Sequence, residues 1–158
     1  MKKILALVLA LMMALSLVPA MAESVESYFD GTWVKFEDGF EVYLPSDWLQ
    51  LEVTEEDLAS GIFFGACSPD QTKLMQIAWS ALEAEVTLAE LQPAFEGSKM
   101  VEVNGIQLLC IGDAANDTIA FVGLDAAEPG YYMFLFAPMS DAELLAYASV
   151  IAASIRNF

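Results

Sequence analysis

Hydrophobic and polar residues along the chain follow two periods, one of two residues and one of three to four. A period of two predicts a half-buried strand, and it is clear where Phe40, Val42 and Leu44 alternate with polar or amphipathic neighbours. A turn at Asp38-Gly39 precedes this stretch and Pro45 ends it. We interpret it as part of the fold, with its apolar residues facing the core, rather than as a recognition site.

Strand patterns recur along the rest of the chain, separated by turn-forming residues. They lie at 33–36, 49–54, 62–67, 74–80, 99–103, 106–110, 118–124 and 131–136. The last of these, YYMFLF, is apolar at every position, which predicts a central strand covered on both faces.

Asn104-Gly105 is the strongest local signal, because this pair favours a two-residue hairpin turn in which both residues have positive φ. The turn fixes the register and places Val103 opposite Ile106. Cys110 then lies on the face predicted to point to the core.

The other face of this hairpin carries Met100, Leu109 and Ile111. Either helices cover that face, or it is an exposed apolar patch of the kind that marks a contact site. We predict these three as binding residues. On that hypothesis an aspartate at position 109 abolishes binding and leaves the fold intact.

Helices are expected to begin at Thr54, Thr87 and Ser140, where a hydroxyl residue precedes acidic residues in a capping pattern. Pro93 predicts that the middle helix is short and breaks near Gln92. The last helix carries one apolar stripe, which consists of Leu144, Ala148, Ile151 and Ile155. The elements add up to an α+β fold, an antiparallel sheet of about seven or eight strands flanked by a mid-chain helix and a C-terminal helix.

The order of these elements resembles the PsbP/Mog/DcrB-like group. The resemblance involves Phe40, Val42, Leu44, Pro45 and Trp48, the hairpin VEVNGIQL, and the closing segment Ala152-Ala153-Ser154-Ile155-Arg156. It implies an antiparallel sheet flanked by helices, used mainly in exported, non-enzymatic or partner-binding proteins. It transfers no catalytic residue.

The N-terminal segment has the pattern of a signal peptide. Lys2 and Lys3 precede an apolar run that ends before Ala20-Met21-Ala22, an A-x-A cleavage pattern. We predict a signal peptide over 1–22, cleavage after Ala22, and one domain over 23–158 that is secreted or extracytoplasmic. The apolar run is too short for a stable membrane anchor after cleavage.

The chain is strongly acidic, with 23 acidic and six basic residues and a formal net charge of −17. Such a charge repels phosphate backbones, so nucleic acid is excluded as a partner. The predicted partner is an unidentified protein or an apolar small molecule. The aromatic residues that could line a groove are Trp33, Phe63, Phe64, Tyr131 and Tyr132, although a place in the core is the preferred interpretation for most of them.

The residues that most catalytic sites need are scarce. The chain has no histidine and two cysteines, Cys67 and Cys110, which either form a disulfide or are two buried thiols, the outcome we expect. The loop 113–117 offers oxygen ligands for calcium, but it lacks the glycine and the distal glutamate of a calcium hand. We therefore predict no metal and no cofactor. The preferred function is an exported, non-enzymatic binding or interaction module. The alternative is a carboxylate-dependent hydrolase of the glycosidase type.

Overall fold

In the part of the chain that the structure describes, seven antiparallel strands form the main sheet and two more form a separate hairpin. The computed structural model describes residues 25–37 and 39–156, and the predicted signal peptide lies outside them. The strands are β1 Gly31–Lys35, β2 Glu41–Pro45, β3 Leu49–Gln50, β4 Ile62–Cys67, β5 Leu74–Ala81, β6 Lys99–Val103, β7 Ile106–Asp113, β8 Thr118–Leu124 and β9 Gly130–Ala137. The helices are α1 Glu55–Ala59, α2 Leu88–Leu91 and α3 Ala142–Ser154, and short 3-10 turns cover Val25–Ser27 and Gln92–Ala94. The α+β class predicted from the sequence is confirmed.

The main sheet has the strand order β3-β4-β5-β9-β8-β7-β6. Its middle strand is β9, the segment for which continuous apolar character predicted a central position. Along β9, Tyr132, Phe134 and Phe136 are buried on one face, whereas the alternate residues are half-buried on the other. We call these the front face and the back face of the sheet.

The front face carries the main core, which the β1–β2 hairpin and α3 cover. Phe40 packs on Phe134 with ring centroids 6.0 Å apart, and Val42 is fully buried. The predicted stripe of α3 is buried at all four positions, as Leu144, Ala148, Ile151 and Ile155. Ser154 donates to the Ile151 carbonyl oxygen and accepts from the Tyr43 N–H at 2.8 Å, which ties the end of α3 to β2. The stretch Phe40–Leu44 is thus part of the core, as predicted.

The start of α3 differs from the expectation by one residue. Asp141, and not Ser140, is the N-cap, and its carboxylate accepts from the N–H groups of Glu143 and Leu144. Ser140 instead donates its hydroxyl to Asp117, at 2.7 Å. The prediction of a capping box at Ser140 is wrong because the Ser140 hydroxyl bonds to Asp117, between β7 and β8, and does not cap α3.

The back face is covered in part by the segment 82–95, which includes α2. Leu88 and Leu91 of α2 pack with Leu109 and Val122 in a second buried cluster. The capping box of Thr87 and Glu90 is present, and α2 gives way to the 3-10 turn at Gln92, as Pro93 predicted.

The β6–β7 hairpin has the predicted register. Val103 lies opposite Ile106 and Lys99 lies opposite Cys110. Asn104 and Gly105 both have positive φ, at 51° and 81°. No helix among the described residues is long and apolar enough to cross a membrane.

The predicted strand over 49–54 is mostly absent. Only Leu49–Gln50 pairs with β4, and one further bond joins the Leu51 N–H to the Gly65 carbonyl oxygen at 2.8 Å. Leu49 and Leu51 are exposed, so the alternating pattern here does not mark a half-buried strand. A capping box closed by Asp57 starts α1 directly afterwards at Thr54.

Cys67 and Cys110 are free and buried. They lie on β4 and β7, four strand spacings of about 4.8 Å apart across the sheet, whereas a disulfide needs Cα atoms within about 7 Å. The expectation of two buried thiols is confirmed.

Burial raises the pKa of the Cys110 thiol to about 12, so it is protonated at neutral pH. We therefore expect Cys110 in the native protein to resist alkylation, and both thiols to react after unfolding without a reductant. Mass spectrometry of the alkylated protein measures this. An unfolded, unreduced sample without free thiols would contradict the assignment.

Candidate ligand-binding cleft

A cleft of about 440 Å³ opens at the end of the sheet where β4 begins and β5 ends. Helix α1 and the loop between β8 and β9 form its sides. The residues that line it are Leu58, Gly61, Phe63, Trp79, Asp125, Ala127, Glu128 and Tyr132, and we call it the aromatic cleft. Its volume lies in the range of pockets that hold small molecules, about 300–1,000 Å³.

Phe63 enters the cleft because of a bulge in β4. Ile62 pairs with Ala78 and Phe64 pairs with Ile77, so Phe63 is an extra residue in the strand. Without the bulge, neighbouring phenylalanines would point to opposite faces. With it, both pack on the front-face core, and the Phe63 ring meets Tyr132 at a centroid distance of 6.1 Å and an angle of 76°.

Gly61 allows β4 to begin close to Trp79. Its φ is +82°, and the Trp79 N–H donates to its carbonyl oxygen at 2.9 Å. A Cβ at this position would lie 2.4 Å from the Trp79 carbonyl oxygen. Only glycine therefore fits both the backbone conformation and the close approach of the two strands.

The Trp79 side chain is held from two sides. Its indole N–H donates to the Asp125 carboxylate at 2.9 Å, and the other oxygen of that carboxylate accepts from the Ala127 N–H at 2.8 Å. The ring also lies against Gly130, where a Cβ would approach the indole to 2.7 Å. The hydrogen bonds fix both the ring and the loop 125–129, so the wall is built before any ligand arrives.

Phe63 and Trp79 are half-buried, so their rings provide most of the apolar, polarisable surface, and the carboxylates of Asp125 and Glu128 lie beside it. A smaller cleft of about 280 Å³ on the other side of the loop 125–129 lacks the rings. The aromatic cleft is therefore the better ligand site.

Sequence reasoning anticipated part of this site. Trp33, Phe63, Phe64, Tyr131 and Tyr132 are the aromatic residues it offered as groove residues, with the core as the preferred interpretation. Of these, Phe63 and Tyr132 line the cleft. The alternation of β5 places Trp79 on one face with Met75 and Ile77 but gives no sign that Trp79 lies at the end of the sheet.

The structure does not bring Met100, Leu109 and Ile111 together on an exposed patch. Leu109 is fully buried beneath Leu88 and Leu91, Ile111 is half-buried at the edge of the same cluster, and Met100 is exposed. Of the two alternatives for this face, cover by a helix is the one observed. An aspartate at position 109 is thus expected to disturb the fold, whereas contact through Met100 and Ile111 stays a prediction.

Another cleft, of about 300 Å³, lies around Lys73 and is charged. The Lys73 ammonium lies 3.0 Å from a Glu143 oxygen and 3.7 Å from an Asp141 oxygen. Hydrogen bonds from Ser68 and then from Thr72 lower the pKa of the nearby Asp70 carboxyl to about 2. These charged groups interact with one another, and the ion pairs of Lys73 connect the turn before β5 to the start of α3.

Carboxyl pKa values bear on the hydrolase alternative, which needs a general acid with a raised pKa. Five carboxyls of the described residues have a displaced pKa, and in each case hydrogen bonds lower it. They are Asp57, Asp70, Glu90, Asp113 and Asp141. This direction suits carboxylates that cap helices and turns.

Both carboxylates of the loop considered for calcium, 113–117, accept hydrogen bonds from other groups of the protein. Asp113 accepts from the side chain and N–H of Asn116 and from the Ala115 N–H, and Asp117 accepts from Ser140. Within the described residues no three acidic or cysteine side chains are grouped to hold a metal ion.

Comparisons with known proteins bear on the fold alone. No family model and no curated protein matches the chain. The chain is similar to a crystal structure from Bacteroides thetaiotaomicron VPI-5482, with 14% sequence identity and a TM-score of 0.58. The match covers 81% of this chain and 48% of that one, so this chain spans about half its length. The resemblance to the PsbP/Mog/DcrB-like group stays a prediction.

Proposed function

We propose that the protein is an exported binding module without catalytic activity, and that the aromatic cleft holds its ligand, an apolar small molecule or an apolar group of a larger one. The observation that carries the proposal is the convergence of Phe63, Trp79 and Tyr132 on one preformed cleft. Export rests on the signal-peptide pattern of 1–22.

The construction of the cleft supports ligand binding. Phe63 and Tyr132 belong to or pack on the front-face core, and Trp79 is fixed by Asp125. Rings that are immobilised in advance lose little conformational entropy when a ligand binds, so more of the contact energy contributes to affinity. Leu58 is 59% exposed at the rim, an apolar side chain that a ligand would cover.

A fragment screen monitored by the amide chemical shifts of the labelled protein tests this proposal. We expect apolar and aromatic fragments to shift the amides of Gly61, Phe63, Trp79 and Ala127 in a saturable way. Fragments that bind only elsewhere, or a library without any binder, would overturn the proposal.

A matched pair of variants distinguishes a local effect from a general one. Trp79→Leu should weaken the best fragment about ten-fold, since an aromatic contact in a pocket is worth about 1–2 kcal/mol. Trp48→Leu should leave its affinity unchanged, because Trp48 is a half-buried tryptophan that packs on Tyr147 outside the cleft. Equal losses in both variants would indicate a stability effect and contradict the assignment.

A further inference from the structure

Negative charge lies in the aromatic cleft, and no lysine or arginine among its described lining residues offsets it. Asp125 and Glu128 line the cleft, and none of the other described lining residues is charged. Basic residues with described contacts make them outside the cleft. Lys73 forms ion pairs with Asp141 and Glu143, and Arg156 lies over the ring of Trp33. A ligand without positive charge would leave these two carboxylates uncompensated beside it.

The face of an aromatic ring attracts cations, because its π electrons give it a negative potential. An example within this protein is Arg156, whose guanidinium carbon lies 3.1 Å from the centre of the Trp33 ring. In the aromatic cleft the rings of Phe63 and Trp79 are half-buried, and among the described residues no basic side chain lines the cleft beside them.

Asp125 is one of the two acidic residues of the cleft and is also the hydrogen-bond partner of the Trp79 ring. It accepts from the Trp79 indole and from the Ala127 N–H, one bond on each carboxylate oxygen. A carboxylate has about four acceptor sites, so about two remain for a further donor or for direct attraction of a cation. Its bond to the indole N–H also makes that ring more electron-rich, which strengthens its attraction for a positive charge.

From this combination we infer that the ligand of the aromatic cleft is an organic ammonium ion, with its alkyl groups against the rings and its charge near Asp125 and Glu128. The inference rests on the proposed function and specifies the class of ligand. A bare metal ion needs several oxygen ligands, which the two carboxylates do not supply. An anion would be repelled by the cleft and by a chain with a net charge of −17.

Calorimetry with two probes of the same shape tests the inference. Choline carries a quaternary nitrogen, and its neutral analogue dimethylbutanol has carbon in that position. We expect choline to bind the purified protein about ten-fold more tightly than the neutral probe, as desolvated cation–π contacts of about 1–2 kcal/mol predict. High salt should reduce this difference.

Glu128→Gln removes one charge from the exposed rim of the cleft. It should weaken choline about three-fold, the effect of an exposed charge, and leave the neutral probe unchanged. Glu102→Gln makes the same change on β6, outside the cleft, and should alter neither affinity. A loss at Glu102 as large as that at Glu128 would show that only net charge matters, and would overturn the inference.

The outcomes separate the ligand class from the function. If both probes bind in the cleft equally, the ammonium inference fails and the proposed function stands. If choline does not bind up to its solubility limit, the inference also fails, and the fragment screen alone then decides the proposed function.

Discussion

Replacing Leu109 by aspartate should remove at least half of the protein's free energy of unfolding. The side chain is fully buried among Leu88, Leu91 and Val122, where a carboxylate has no partner. Truncation of a buried leucine alone costs about 2–5 kcal/mol, and the buried carboxyl adds its desolvation. Because a domain of this size has about 5–15 kcal/mol of stability, we expect a loss of at least half of it, measured by urea unfolding.

Met100→Asp is the matched control, because Met100 lies directly opposite Leu109 in the β6–β7 register. It is 42% exposed, so its replacement should change the free energy of unfolding by less than about 1 kcal/mol. If Leu109→Asp were as stable as Met100→Asp, α2 would not cover this face, and the apolar patch predicted from the sequence would be restored.

Gly61→Ala should destabilise the protein far more than Gly105→Ala. Both glycines have positive φ, so both variants carry backbone strain of about 1 kcal/mol. At Gly105 nothing lies within 4 Å of the added Cβ, whereas at Gly61 it would meet the Trp79 carbonyl oxygen at 2.4 Å. We expect a loss of about 1 kcal/mol at Gly105 and about 3 kcal/mol or more at Gly61.

Urea unfolding of the two variants measures this difference, and Trp79 fluorescence reports whether the cleft wall has moved. Equal losses of stability would mean that β4 and β5 do not approach as closely at Gly61 as the structure shows. The geometry described for the aromatic cleft would then be wrong as well.

The sequence predicts those parts of the fold that local chemistry determines. Asn104-Gly105 requires a particular turn, and that turn sets the register of the hairpin and the burial of Cys110. The all-apolar run of β9 requires cover on both faces, which only an inner strand receives.

What the sequence does not predict depends on contacts between distant segments. The segment that covers Leu109 contains a helix of only four residues. Such a helix is too short to show a periodic apolar pattern, so the sequence does not indicate that the segment packs on the back face. At the start of α3, Asp141 is the N-cap, while Ser140 bonds to Asp117, which lies 23 residues away in the chain.

The aromatic cleft also depends on contacts between distant segments of the chain. The bulge at Phe63 lies next to the close approach of Gly61 to Trp79, and Trp79 is oriented by Asp125, 46 residues later. Alternation along either strand shows only that Phe63 and Trp79 are apolar positions. Their convergence is a property of the pairing of β4, β5 and β9.

The most direct test of ligand binding in the aromatic cleft uses Trp79 as a reporter. The chain has three tryptophans, and Trp33→Phe with Trp48→Phe leaves Trp79 alone. Titration of this variant with the best fragment, or with choline, should change the emission of Trp79 with the same dissociation constant that calorimetry gives. Binding by calorimetry without any change in the emission of Trp79 would place the ligand elsewhere and contradict the account.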